Sequence, residues 1–195
     1  QPFHMVKSVK VIVETEGKEK EGYKITGIVP EPEMIEIRGP KEIVNAIDEI
    51  KAKPIHINEI EVSQDIKIEL ILPEDIQISA LEKEAIVHIE VEEIKTKEFD
   101  LKEKDVIIKG LKSEYIGKVE HLPDGIKVSI TAVESVMDTL TKEDIQISLD
   151  AGELDEGKHM RDLIVTVNKP TEKIEVSPPR VSFEVSLKKA VEASS

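Results

Sequence analysis

Between Met34 and Ile47 the hydrophobic period changes, and that change limits what the chain can fold into. Met34-Ile35-Glu36-Ile37-Arg38 alternates apolar and polar residues as a half-buried strand does, whereas Ile43, Val44 and Ile47 follow a helical spacing. Gly39-Pro40 separates the two, and proline suits a first helical position because its missing N–H would find no partner there. The segment reads as strand, turn and short helix. The same order recurs from Leu122-Pro123 through Val128-Ser129-Ile130 to Val136, Met137 and Leu140.

The recurrence continues on both sides. An offset of 93 positions carries Val13 to Val106, Gly17 to Gly110, Pro30 to Pro123, Ile35 to Val128, Ile37 to Ile130, Val44 to Met137 and Ile47 to Leu140. After the helix an offset of 90 matches Ile55 and Ile57 to Ile145 and Ile147. An offset of 97 then takes Pro73 to Pro170, and Ile66, Ile68 and Leu70 to Leu163, Val165 and Val167. Val87, Ile89 and Val91 finally meet Val181, Phe183 and Val185. Offsets that change only between strands are what loop insertions produce. Chance register in an isoleucine-rich chain does not account for paired prolines, paired glycines and a shared change of period. A tandem duplication is expected, with residues 6–94 as the first repeat and 95–188 as a more divergent second. Residues 1–5 read as cloning residue, because His4-Met5 resembles an expression-vector junction, and residues 189–195 read as a frayed tail.

Each repeat is expected to hold about seven short strands and one short helix. In the first, the strands are Val6–Val13, Tyr23–Val29, Met34–Arg38, Ile55–Asn58, Ile66–Leu72, Ile76–Ile78 and Ile86–Val91, with the helix over Lys41–Ile50. Pro30 and Pro32 are expected to keep the approach to Met34 unpaired at a sheet edge. Glu92–Glu98, charged and without a Gly/Ser run, reads as a short tether. The fold class is mainly β: two tandem, small, twisted β-barrel-like domains.

Composition narrows function by exclusion. A formal charge of −14, from 41 acidic and 27 basic residues, argues against nucleic acid and anionic membrane surfaces, both of which call for a basic patch. Without cysteine there is no thiolate metal site, disulfide or cysteine nucleophile. No apolar run approaches the ~18 residues that suggest a membrane span, and none has the form of a signal peptide. Aromatics at 3% leave little with which to line a small-molecule pocket.

Candidate chemistry is sparse. His56 and His88 alternate with apolar neighbours and so fall on the solvated faces of their strands, and none of His4, His56, His88, His121 and His159 forms a ligand-spaced pair with another. Glu31 with Glu33, or Asp144 with Asp150, could be written as acid/base couples, but solvated faces explain them better in so acidic a chain. Asp150–Gly157 resembles a calcium loop superficially and lacks both the alternating ligands and a closing glutamate. No G-x-S-x-G, G-x-G-x-x-G or P-loop occurs. The expectation is no catalytic, cofactor-binding or metal residue, no cofactor and no enzyme, with the partner-binding residues unknown.

The order of features resembles the YbbR domain family, in two consecutive copies. Gly22-Tyr23-Lys24-Ile25, Val29-Pro30-Glu31 and Ile35-Glu36-Ile37-Arg38-Gly39-Pro40 match its elements in turn, followed by Ile55-His56-Ile57-Asn58 and Leu72-Pro73-Glu74-Asp75-Ile76. The second copy keeps Leu122-Pro123-Asp124, Val128-Ser129-Ile130, Ile147-Ser148-Leu149-Asp150 and Val181-Ser182-Phe183-Glu184-Val185. It departs at Thr131-Ala132-Val133 and at Ile116-Gly117, which stands for the Gly-Tyr pair. The resemblance implies a twisted β-barrel-like domain, similar in fold to the C-terminal domain of a ribosomal protein. It implies extracytoplasmic repeats behind an N-terminal membrane helix, absent from this sequence, and a partner protein, a membrane diadenylate cyclase, whose cyclic di-AMP output the repeats modulate. A passive surface spacer is the alternative; RNA binding by analogy to the ribosomal fold conflicts with the charge.

Overall fold

The alternating valines near the start become strand β1 (His4–Ile12), with Val9 and Val11 buried and Lys10 exposed, in the computed structural model, which describes residues 4–189. Gln1–Phe3 of the expected cloning residue and Ala190–Ser195 of the expected tail lie outside the described residues. His4 and Met5 pair with Pro40 and Gly39, so they are part of a sheet whatever their origin. The chain divides into two compact units, Gln1–Ile94 and Lys95–Ser195. It is mainly β, with two short α-helices among the described residues.

In the first unit β1 lies between β4 (Met34–Pro40), antiparallel to it, and β5 (Glu49–Lys51), parallel to it. Strands β4 and β5 flank β1 on opposite sides, and helix α1 (Lys41–Asn45) carries the chain from one to the other. This explains why the helix stops short of the expected Ile50. Ile50, 1% exposed, reaches the core from β5, and the chain must unwind after Asn45 to deliver it there. Two-residue strands β2 (Thr15–Glu16) and β6 (Ile55–His56) pair in parallel. Strands β3 (Tyr23–Glu31) and β7 (Gln64–Lys67) both pair with residues 86–89 of β8 (Ile86–Leu101), and therefore occupy its two edges. The core gathers Val9, Ile35, Ile37, Val44, Ile50, Val87 and Ile89. Each such side chain contributes about 1.5–3 kcal/mol by leaving water.

The second unit has β9 (Val106–Lys109) parallel to β12 (Ile145–Asp150), which also carries β14 (Ile164–Val167). Strand β16 (Arg180–Leu187) lies between β10 (Tyr115–Val119) and β13 (Gly157–Asp162). Strand β11 (Ile126–Val133) lies between β15 (Lys173–Ser177) and β8, and leads into helix α2 (Glu134–Met137). Phe183, Ile126, Ile130 and Leu149, each 0% exposed, anchor this core.

Several local expectations need correction. Pro30 and Glu31 are paired with Val87 and Ile86, so the approach to Met34 is not unpaired; Pro30 is tolerated because β3 ends its sheet and a missing N–H can face outward. Ile66–Leu72 is not one strand. It serves two partners in turn: β7 on β8, then a bridge from Leu70 to Ala52. Ile76–Ile78 contributes a single bridge, from Gln77 to Arg38. Glu92–Glu98 lies within the residues of β8, where Glu92 and Glu93 pair with Lys24 and Tyr23.

Details also recur between the units. Lys7 Nζ donates to the Ile47 carbonyl at 2.7 Å just past α1, and Lys97 Nζ to the Leu140 carbonyl at 3.4 Å just past α2. Lys20 pairs with Glu61 at 2.8 Å, and Lys112 with Asp155 at 2.8 Å. The N–H of Tyr23 donates to Lys20 O and that of Tyr115 to Lys112 O, so Tyr115, rather than Ile116-Gly117, is the counterpart of Tyr23. The N–H of Ile57 donates to Glu16 O and that of Ala151 to Lys109 O, while Glu59 and Glu153 both have φ of 58°. Ile57 thus answers to Ala151, not Ile147. The N–H of Ile68 donates to Ala85 O and that of Leu163 to Pro179 O, so Ile68, not Ile66, answers to Leu163.

Candidate functional site

Most of the flagged side chains serve local structure. Asp144 immediately precedes β12 and Asp150 ends it, about 20 Å apart at ~3.3 Å per residue, which rules out an acid/base couple. Asp144 accepts the Thr141 N–H at 2.9 Å and is 3.3 Å from Lys169; the N–H holds its carboxyl below the usual range, and the lysine adds to the effect. In the calcium-like stretch, Asp150 accepts the Gly152 N–H at 2.8 Å and Asp155 is paired with Lys112. Glu103 accepts the Leu122 N–H at 2.5 Å, which lowers its pKa. Arg38 lies on β4 beside a shallow groove that Glu36, Gln77, Ser79 and Glu82 also line. Two carboxylates there, and a helix of only five residues behind it, make a poor anion site.

The histidines separate into two kinds. His56 lies 3.4 Å from Glu16 and His121 3.2 Å from Glu103, both with largely exposed side chains. His159 stacks at a tilt on Phe183, with ring centroids 5.9 Å apart, and its Nε2 is 2.7 Å from Asp155 O. His88 differs. Its Nδ1 lies 2.5 Å from Asp65 Oδ1 on β7, and its Nε2 bonds to Glu31 Oε2 on β3. The imidazole pKa is raised above 6.5, first by the bond to Glu31 and then by the bond to Asp65. Here flagged side chains from different strands meet, Glu31 of the Glu31–Glu33 pair and His88 of a solvated strand face. Asp65 was missed. The signal for it was the pairing of β3 and β7 with β8, because only the register places Asp65 opposite His88.

The cluster does not read as a metal centre. The carboxylates approach opposite ring nitrogens, so one ion could not take the imidazole and both acids together. Among the described residues no three His, Cys, Asp or Glu side chains are placed to hold a metal. No helix among them is long and apolar enough to cross a membrane.

These features define a mainly β protein of two small units whose polar side chains are spent on turns, helix ends and strand clasps. Residues 9–91 match the family model described as YbbR-like protein. The chain is 25% identical over 156 residues to the CdaA regulatory protein CdaR of Bacillus subtilis (strain 168), a match covering 78% of this chain and 31% of that protein. Among solved structures, a YbbR-like domain from Listeria monocytogenes is 18% identical, covering 50% of this chain and 97% of that one, with a TM-score of 0.37. A YbbR-like protein from Streptococcus pneumoniae is 12% identical, covering 97% and 98%, with a TM-score of 0.35.

Proposed function

We propose that this chain is a non-catalytic regulatory module built from two YbbR-like repeats, residues 6–94 and 95–188, that acts by binding a partner protein. The observation that carries the reading is the match to CdaR, which runs through 78% of the chain and so beyond the segment that the family model covers. The recurring lysine at the helix end, the recurring Lys–acid pair and the shared tyrosine contact support treating the second unit as a diverged copy. The partner we assign is a membrane diadenylate cyclase, met at the extracytoplasmic face by repeats held there through an upstream membrane helix. Two linked modules favour such contact by raising the effective concentration of the second once the first is bound. Regulation then follows from unequal affinity for two conformations of the partner.

The test is co-expression of the membrane-anchored parent with the cyclase, reading complex formation by co-purification and cyclic di-AMP level in the same cells. Replacing residues 6–188 by an unrelated rigid β module of equal length should abolish both the complex and the change in cyclic di-AMP. Retention of both by the replacement would instead make these repeats a spacer.

A further inference from the structure

We propose that His88, Glu31 and Asp65 form a proton-operated clasp that fastens β3 and β7 to opposite edges of β8 when the imidazole is charged, and frees β7 when it is not. The geometry is that of a double donor. A neutral imidazole carries one N–H and can donate to one carboxylate only; the imidazolium carries two. Here both ring nitrogens face carboxylates, and the carboxylates belong to different strands. Losing the proton therefore opens one arm of the clasp.

The effect concentrates on β7. Strand β3 pairs with β8 through eight residues, but β7 through four, of which only Ile66 is partly buried. Apart from its ladder bonds, β7 is held by its two neighbours: Ser63, whose Oγ accepts the Val91 N–H at 2.8 Å, and the buried Ile68, whose N–H donates to Ala85 O at 3.1 Å. A short exposed strand with few apolar contacts opens at low cost, so a single clasp governs much of its closure. The charged groups around the ring are few. Glu31 faces it from β3 and Asp65 from β7, while Lys67 and Glu90 are the next residues on that face along β7 and β8. Lys67 and Glu90 are opposite in sign, and neither is among the groups that raise the ring's affinity for its proton.

The direction follows from linkage. A histidine bound more tightly to its proton in the closed state stabilises that state fully below about 6.5, and the contribution disappears as pH rises through the raised value. The experiment uses the full chain. The His88 ring is titrated by NMR, and hydrogen exchange of the 64–67 amides, corrected for intrinsic rates, is followed from pH 5.5 to 8.5. His88 should titrate above 6.5, and protection of 64–67 should fall with rising pH by about tenfold for each unit of elevation. His88→Gln should remove the pH dependence and leave the amides between β1 and β4 unchanged. A Glu31→Gln, Asp65→Asn double variant should return the ring to about 6.5. Titration of wild-type His88 at or below 6.5, or the same pH dependence in either variant, overturns the clasp.

Discussion

Substituting alanine for Gly39 tests why the strand-to-helix corner of the first unit contains a glycine. Gly39 is buried on β4, and an added Cβ would lie 2.7 Å from the Asp75 carbonyl oxygen and 2.9 Å from Ile76 Cδ1. The isoleucine tip can swing away, but the carbonyl is less free. The Ile76 N–H donates to Pro73 O at 3.2 Å, and Arg38 and Gln77 exchange two backbone bonds at 2.9 Å each, so retreat of Asp75 strains both. Forcing a methyl into such a contact costs about 1–3 kcal/mol. The corner itself does not demand glycine, because its counterpart in the second unit, 93 positions on, is Ala132, 1% exposed. Gly27 is the control. A Cβ there would meet the Glu90 side chain, at 3.2 Å from Oε2, which can move into solvent. Gly27→Ala should therefore be neutral, or stabilise by about 0.4–1 kcal/mol through the unfolded chain. The two tyrosines, Tyr23 and Tyr115, lie one in each unit, so fluorotyrosine labelling gives one ¹⁹F reporter per unit during urea unfolding. With a slope of about 1–2 kcal/mol per molar urea, a 2 kcal/mol loss lowers the Tyr23 midpoint by about 1–2 M. An unchanged Tyr23 midpoint in Gly39→Ala would mean that the Asp75 backbone yields freely, and the close approach would not explain the glycine.

Phe183→Ala, at a residue 0% exposed on β16, should cost about 3–5 kcal/mol and move the Tyr115 reporter first; a loss below about 1 kcal/mol would refute its role as anchor of the second core. Acid should weaken the second unit before the first. Asp100, Glu103, Glu143, Asp144 and Asp155 all have lowered pKa values and all lie beyond Lys95, so the stability they provide is present above the usual carboxylate range and is lost as pH falls through the depressed values. Urea midpoints of the two ¹⁹F reporters at pH 7 and pH 3 check this; a larger drop at Tyr23 than at Tyr115 contradicts it. Lys112→Met should return the Asp155 pKa, read by carboxyl NMR, toward its ordinary value, because the bond from Lys112 is the main cause of its shift.

The apolar framework was legible in the sequence because period and burial are local facts. Val9, Ile35, Ile37, Val87 and Ile89 alternate with polar neighbours along their strands, and all are buried. The corner at Gly39-Pro40 was legible for the same reason, since a change of period marks a change of element. What failed was register between distant strands. Ile66–Leu72 alternates without a break, yet the chain passes from β8 to Ala52 within it, and nothing in the alternation marks that exchange. The matches of Ile55 to Ile145 and of Ile66 to Leu163 failed similarly. Isoleucines two or four positions apart satisfy the same pattern, and only the backbone bonds of Ile57, Ala151, Ile68 and Leu163 distinguish them.

The His88 cluster was illegible for a stronger reason. Its members are 57 and 23 positions from the histidine, and each alone is an ordinary exposed residue on an alternating strand. Two independent pairings, β3 on β8 and β7 on β8, must be known to one residue before they converge, because a slip of one turns every side chain to the opposite face. The second unit gives the contrast. Its β16 carries Ser182 between Val181 and Phe183, as β8 carries His88 between Val87 and Ile89, so the apolar positions persist where the titratable group does not. Packing is thus what the two units share, while the groups that respond to pH differ: a histidine with raised affinity for its proton in the first, and carboxylates with lowered affinity in the second. A framework of this kind lets polar faces diverge without loss of the fold, because the core contacts do not pass through them.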